Sequence, residues 1–224
     1  MCGRYTLAVE MDELAERFGC PKIDPVIKPR YNVAPSQIMP VVVEHSGQPR
    51  LQMMHWGLVP FWAKDKSIGN KLINARVETV EQKVSFKYAI RERRCIVPAD
   101  GYYEWQKTNT RKQPMRIVIP SDKLFGFADL WEQWNSPDGE AFFSYTILTA
   151  PPVSSLVHIH HRMPFILRRD QEDYWLNGLR GTSVEEIRSF LNGLQPQQHF
   201  NIYSVSNRVN NPRNDDVQCI EPIA

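Results

Sequence analysis

Short strand-type runs, broken at close intervals by proline and turn residues, govern what this chain can fold into. Met39 to Glu44, Leu51 to Trp56, Arg94 to Val97, Met115 to Ile119, Leu124 to Trp131, Ser144 to Thr149, Pro164 to Leu167 and Phe200 to Val205 are rich in β-branched and aromatic residues. Seventeen prolines are spread along the chain, and a proline within a sheet belongs at an edge or a bulge. Helical spacing is confined to three places. Met11, Leu14, Ala15 and Phe18 recur at i, i+3, i+4 and i+7, with Gly19 where a helix stop belongs. A second helix is expected over Val84 to Arg94. A third follows Thr182, whose spacing to Glu185 reads as a capping box ahead of Ile187, Phe190 and Leu191, with Gly193 as the stop. No linker or repeat divides the 224 residues, which suffice for one buried core. The expected architecture is α+β: a single domain over residues 1–224, with a curved, barrel-like, mostly antiparallel sheet and peripheral helices.

Several functional classes are excluded by what is missing. No stretch approaches the roughly 18 apolar residues of a membrane span, and the opening MCGRYTLAVEMDELAERF meets charges before a secretory segment can form. Cys2, Cys20, Cys95 and Cys219 form no CxxC pair, so neither a zinc knuckle nor a disulfide framework is indicated, and reduced thiols suit a cytoplasmic protein. Charge is uneven: residues 60 to 116 carry 13 Lys and Arg against 6 Asp and Glu, within a chain of net +2. Within that basic region, Arg91, Arg93 and Arg94 and the turn from Lys107 to Lys112 read equally as phosphate-facing groups or as a solvated helix end and hairpin tip.

The second residue carries the most chemistry. Removal of Met1 leaves Cys2 with an α-amine and a thiol on adjacent carbons. The amine adds to an aldehyde to give a Schiff base, and the sulfur then closes a five-membered thiazolidine. At pH 7 roughly 14% of an α-amine is neutral, against ~0.04% of a lysine, so the terminus has an advantage of several hundredfold as a nucleophile. A cation near the thiol raises its thiolate fraction, and Arg4 is a candidate.

Other segments supply partners for such a reagent. In GYYEWQ, Glu104 shares a strand face with Tyr102 and Gln106 while Tyr103 and Trp105 point the other way. A carboxylate among aromatics can serve as acid or base, or simply face solvent. In HIHHRMP, His158, His160 and His161 have no nearby ligand at a matching spacing, so acid and base use is favoured over a metal. Asn74 and Arg76 lie on one face if LINARVET is extended, where an amide orients a sugar and a guanidinium grips a phosphate.

Taken in order, MCGRYT (1–6), YNVAPS (31–36), WGLVPFWA (56–63), INARVET (73–79), RRCIVPADGYYEW (93–105), IHHRMP (159–164) and VSNRVNNP (205–212) closely resemble the SRAP family, the SOS response-associated peptidases, also called abasic site processing proteins. The resemblance spans almost the whole chain. It implies recognition of abasic sites in single-stranded DNA and a covalent DNA–protein crosslink through Cys2 after removal of Met1. It further implies peptidase activity directed at the protein's own Met1, and a possible lyase-type activity. By the same resemblance Cys2 is the nucleophile, Asn74 senses and positions the abasic sugar, and Glu104 and His160 promote the chemistry; physical reasoning then has His160 donating a proton to the ring oxygen and Glu104 taking one from the Cys2 amine. Arg4, Arg76 and Arg162 are expected at phosphates, and Trp62 and Trp105 as stacking surfaces. No metal or organic cofactor is required, the partner is single-stranded DNA with no membrane, and a monomer in the cytoplasm, at the nucleoid in a bacterium, suffices. One departure is His161, where the family more usually has Asp. Class II glutamine amidotransferases also begin MCG and are the rival reading, but the Gly-Asn-Gly segment of those domains is missing. A non-catalytic single-strand binder is the third.

Overall fold

The computed structural model describes residues 2–21, 28–108, 111–193 and 199–223. Along the chain run β1 (Tyr5–Leu7), α1 (Met11–Phe18), β2 (Arg30–Val33), β3 (Ile38–His45), β4 (Gln48–Trp56), β5 (Asn74–Arg76), α2 (Ala89–Glu92), β6 (Arg94–Ala99), β7 (Gly101–Lys107) and β8 (Lys112–Val118). They are followed by β9 (Phe125–Asn135), β10 (Ala141–Ala150), β11 (Met163–Pro164), β12 (Ile166–Leu167), α3 (Arg169–Asp173), α4 (Val184–Gly193) and β13 (Asn201–Ser204). Strands β10, β4, β3, β6 and β9 pair in that order, and β9 pairs again with β10, so five strands close a barrel. A second sheet runs β13-β8-β7-β1-β2. Among the described residues, β10 pairs in parallel with β4 and with β5, and the other ladders are antiparallel, as the strand pattern predicts.

Proline placement within the barrel follows from the ladders. Pro40 faces Met53 of β4, while β6 reaches β3 only at Val42 and Val43, so the missing N–H at position 40 leaves no β6 partner stranded. At Pro164 the expected single strand splits. Met163 and Pro164 pair with β10, Ile166 and Leu167 pair with β9, and Phe165 between them bonds to both, donating to the Leu148 carbonyl at 2.9 Å and accepting from the Ala128 amide at 2.8 Å.

The helices show where local signals hold and where tertiary contacts override them. Helix α1 buries Met11, Leu14, Ala15 and Phe18; Gly19 has φ 63°, and its amide donates to Glu16 while that of Cys20 donates to Ala15, a left-handed stop open to glycine. Helix α4 is capped one residue later than the spacing predicts. Ser183 Oγ accepts from the Glu186 amide at 3.1 Å and Glu186 Oε2 accepts from the Ser183 amide at 2.8 Å, whereas Thr182 Oγ1 donates to the Leu179 carbonyl. Gly193 is part of the helix rather than its stop.

The helix expected over Val84 to Arg94 shrinks to the four residues of α2. Its far end is taken by β6, in which Arg94 pairs with Leu130 and sends its guanidinium to the carbonyls of Ile90, Arg91 and Trp175 at 2.6 to 2.9 Å. That corrects the phosphate-facing reading of Arg94, which is 5% exposed. Arg93 likewise meets Glu132 at 3.0 Å and lies over the Trp131 ring. The hairpin at Lys107 to Lys112 joins β7 to β8, and its residues 109 and 110 lie outside the described ones.

Aromatic rings fasten the second sheet onto the barrel. Tyr5 of β1 packs against Trp56 and Phe127, with ring centroids 5.3 and 6.0 Å apart, and its hydroxyl bonds to that of Tyr145 at 2.9 Å. Tyr102 of β7 meets the edge of Phe127 at 6.2 Å. Each such ring pair contributes about 1 kcal/mol beyond the area it removes from water. The N-terminal strand is therefore fixed from below before any side chain of the site is considered.

Candidate functional site

Cys2 is fully buried although it stands next to the chain end. Two ladders put it there. Tyr5 pairs with Val33 on one side and with Tyr102 on the other, and the Tyr103 amide donates to the Arg4 carbonyl at 3.0 Å, which carries the β1–β7 ladder back toward the terminus. Asn74 then fixes the second residue from the barrel side, its Nδ2 donating to the Cys2 carbonyl at 2.8 Å. Strand β5 owes its place to parallel pairing with β10, Asn74 opposite Ile147. Asn74 Oδ1 is buried and has no hydrogen-bond partner among the described residues.

Glu104 reaches the same spot from β7. Strand alternation sends Tyr102 and Glu104 to the Cys2 side, both buried, while Tyr103 packs with Val205 and Val209 under Trp105. Burial pushes the Glu104 carboxyl up to about 8. His160, in the segment between β10 and β11, faces it with Nδ1 3.7 Å from Glu104 Oε1. His160 Nδ1 lies 3.2 Å from both the amide and the carbonyl of Arg162, accepting from the first in one neutral tautomer and donating to the second in the other. Burial lowers the His160 pKa, with the His161 ring, centroid 4.2 Å away, adding to the same direction. At pH 7 the pair is therefore a carboxylic acid beside a neutral imidazole. Desolvation disfavours the charged form of each.

The Cys2 thiol lies well above its ordinary range, raised by burial and then by the charge of Glu104. The expectation that Arg4 would supply thiolate-stabilising charge meets a different geometry. Arg4 Nη1 donates to Asn32 Oδ1 at 2.7 Å and to the Val209 carbonyl at 2.6 Å, with the guanidinium over the Trp105 ring. Asn32 itself donates to the carbonyls of Val209, Asn211 and Asn214, and Asp215 accepts from the amides of Tyr31 and Asn32. The YNVAPS and VSNRVNNP segments thus form one clamp at the back of the N-terminal strand. Trp105 joins it by donating to Asn210 Oδ1 at 2.7 Å.

Arg162 is also engaged within the fold. It is 8% exposed and forks onto Glu78 at 2.6 and 3.0 Å, and it reaches the Thr149 carbonyl and hydroxyl. In contrast Arg76 is exposed, two residues beyond Asn74 on β5. Trp62 is 43% exposed and Phe61 50% exposed, on a loop whose shape is set by backbone contact. Gly57 has φ 130°, and a Cβ there falls 2.7 Å from the Gly69 carbonyl oxygen; a Cβ on Gly69 falls 2.6 Å from that of Gly57. Glycine is required at both. The loop is further held by Val59 N–H on Ser144 Oγ and by Trp134 Nε1 on the Ala63 carbonyl.

The structure thus gathers Cys2, Asn74, Glu104 and His160 at one place, sets Arg4 and Trp105 in the clamp behind it, and leaves Arg76 and Trp62 on the surface. Among the described residues, no group of three or more His, Cys, Asp and Glu side chains is placed to hold a metal, and no helix is long and apolar enough to cross a membrane. Asn32, Glu78, Thr149 and Asn210 were not singled out in the sequence, where nothing marks which distant carbonyl or guanidinium they hold.

Comparison with known proteins gives a consistent picture. The family described as SOS response associated peptidase (SRAP) matches residues 1–212. Abasic site processing protein YoqW of Bacillus subtilis (strain 168) is 42% identical over 224 residues, covering 99% of both chains. Abasic site processing protein HMCES of Gallus gallus is 32% identical over 228 residues, covering 88% of this chain and 67% of that protein. Among solved structures, a protein from Bacteroides thetaiotaomicron superposes with a TM-score of 0.89 over 100% of both chains at 26% identity.

Proposed function

The chain belongs to the SRAP family, the SOS response-associated peptidases, and on that premise we propose that it processes abasic sites in DNA by condensing its own N-terminus with the lesion. An abasic deoxyribose is a masked aldehyde, and a terminal cysteine is a matched trap for it. The observation that carries the reading is the burial of Cys2 with its carbonyl held by Asn74 and with Glu104 and His160 beside it. A second residue placed at random on a chain end has no reason to be gripped this way.

The chemistry begins with removal of Met1, since an amide nitrogen cannot form a Schiff base. The protein's own site is the proposed agent of that cleavage. The freed amine adds to the open aldehyde, giving a carbinolamine whose hydroxyl must leave as water. Glu104, about nine-tenths protonated at pH 7 for a value near 8, supplies the proton and becomes a carboxylate. His160, a neutral imidazole, gives its ring proton to the sugar ring oxygen as that C–O bond breaks and takes up the proton of the anomeric hydroxyl, whose oxygen becomes the aldehyde. The sulfur then adds to the iminium carbon, the C=N pair passes to nitrogen, and the thiol proton goes to the Glu104 carboxylate. The product is a thiazolidine, and the same imine is the branch point for strand cleavage of the lyase type.

Asn74 Oδ1, buried and without a partner among the described residues, is the acceptor that a sugar hydroxyl would satisfy, which supports its role as the lesion sensor. Arg76 is the leading phosphate contact and Trp62 the leading stacking surface, both being exposed. Arg4, Trp105 and Arg162 support the site through the fold, and any phosphate contact they make adds to those internal bonds. Single-stranded DNA is the proposed substrate because an unstacked sugar can reach a buried terminus. A monomer in the cytoplasm, associated with the nucleoid in a bacterium, suffices for this chemistry.

Intact-mass measurement under denaturing conditions, before and after mixing with a single-stranded oligonucleotide bearing one abasic site, tests the proposal. The expected product lacks Met1 and gains the oligonucleotide's mass less one water, and it does not form with Cys2→Ser. Loss of Met1 without an adduct overturns the crosslinking reading in favour of an N-terminal amidohydrolase or a simple binder.

A further inference from the structure

Tyr102 has a hydroxyl with no hydrogen-bond partner among the described residues, in a side chain with no exposure at all. Such a group is expensive to keep, because an unpaired hydroxyl in the interior has given up water for nothing. Packing alone does not need it. The ring is held edge-on by Phe127 and backed by the β1–β7 ladder, and phenylalanine would make the same contacts. The hydroxyl also differs from its neighbours on the barrel side, since Tyr5 and Tyr145 satisfy each other.

Its surroundings say what it is for. Tyr102 stands two residues before Glu104 on the same face of β7, and both side chains are buried. Tyr102 and Cys2 are fully buried members of the same core cluster. An unpaired phenol thus shares one water-poor site with a thiol and with the carboxyl that must take that thiol's proton. In such a medium a bare sulfur anion is strongly disfavoured, and a positioned O–H is the group that offsets this.

We propose that the Tyr102 hydroxyl is a positioning group for the Cys2 sulfur, donating a hydrogen bond to it as the S–H proton passes to Glu104 and the S–C bond closes the thiazolidine. The assignment rests on the crosslinking reading above and adds a residue that acts on its second half only. Imine formation uses the amine and does not need the phenol. Ring closure uses the sulfur and does.

The two halves are separable by assay. With an abasic single-stranded oligonucleotide, the imine is captured by cyanoborohydride, while the closed ring is scored as adduct that survives denaturation without reductant. Tyr102→Phe is expected to keep the wild-type rate of reductive capture and to close the ring at least tenfold more slowly at pH 7. The deficit should narrow as pH rises, because the thiol then ionises with less help. Its melting temperature should equal or exceed that of wild type, since the lost hydroxyl had no partner. Site-specific 3,5-difluorotyrosine at position 102, which keeps the ring and makes the hydroxyl a stronger donor, should move the closure profile to lower pH. Equal closure rates across the pH range for wild type and Tyr102→Phe overturn the inference, as does a fluorinated protein with an unshifted profile. No adduct from wild type overturns the crosslinking reading itself, and that result appears in a different arm.

Discussion

Replacing Glu104 with Gln isolates the energetic cost that the site imposes on the fold. In the unfolded chain the carboxyl titrates near its ordinary 4.5, and in the folded protein burial raises it to about 8. A group raised in this way contributes its stability in full below the unfolded value, and loses it as pH climbs through the folded one. Each pH unit between the two costs about 1.4 kcal/mol, so wild type should lose roughly 3 kcal/mol between pH 4.5 and 7 and about 5 by pH 9. Gln keeps the shape and two polar ends and does not ionise. Glu104→Gln should therefore match wild type near pH 4 and exceed it by several kcal/mol at pH 9. For a chain of this size with a urea slope of about 2.5 kcal/mol/M, that is a midpoint difference of about 2 M. Urea titrations at pH 4, 7 and 9, followed by circular dichroism, measure it. A constant offset between the two proteins at all three values would refute the idea that desolvation sets this carboxyl's protonation. The same substitution should slow adduct formation by about a hundredfold or more and remove the fall in rate expected of wild type above pH 8.

The remaining arginine, tryptophan and glycine assignments are checked more simply. Arg162→Ala removes the donor to the Thr149 carbonyl and the fork onto the exposed Glu78, and should destabilise the protein by about 1 to 3 kcal/mol in denaturant titrations, with Arg162→Lys restoring only part because an ammonium cannot fork onto a carboxylate. Arg76→Ala should leave the melting temperature unchanged while reducing the log-log salt slope of single-strand affinity by about 0.7; an unchanged slope removes Arg76 from the phosphate path. Trp62→Ala should cost about 1 to 3 kcal/mol of that affinity by fluorescence anisotropy, again without loss of stability. Gly57→Ala meets both a positive φ and the Gly69 carbonyl, and calorimetry should show a loss of about 2 kcal/mol or more together with weaker DNA binding through the displaced 57–72 loop.

The strand pattern and the ordered motifs are local properties, and they were legible before any coordinates. Period-two alternation in GYYEWQ places Glu104 on one face and Trp105 on the other whatever the partner strand, and the apolar spacing of Met11 to Phe18 with the left-handed stop at Gly19 specifies α1 from nine residues. The reagent at Cys2 is likewise written in the sequence, since a terminal amine and a thiol on adjacent carbons are a covalent fact. The internal partners that were not legible share one cause. Arg94 reads as surface charge and is instead a buried donor to three carbonyls, because β6 draws it into the barrel and ends α2 there. Arg4 reads as a cation for the thiol and is turned to Asn32 and Val209, 28 and 205 residues away. Arg162 carries a fork onto Glu78 across 84 residues that nothing in IHHRMP announces. Which long-range partner a charged side chain meets depends on how the sheets close, and no short-range pattern encodes that. The protonation states of Glu104 and His160 belong to the same class: residue type sets their ordinary values, but burial decides which of the two holds the proton at neutral pH, and burial exists only once the N-terminal strand has been laid between β2 and β7.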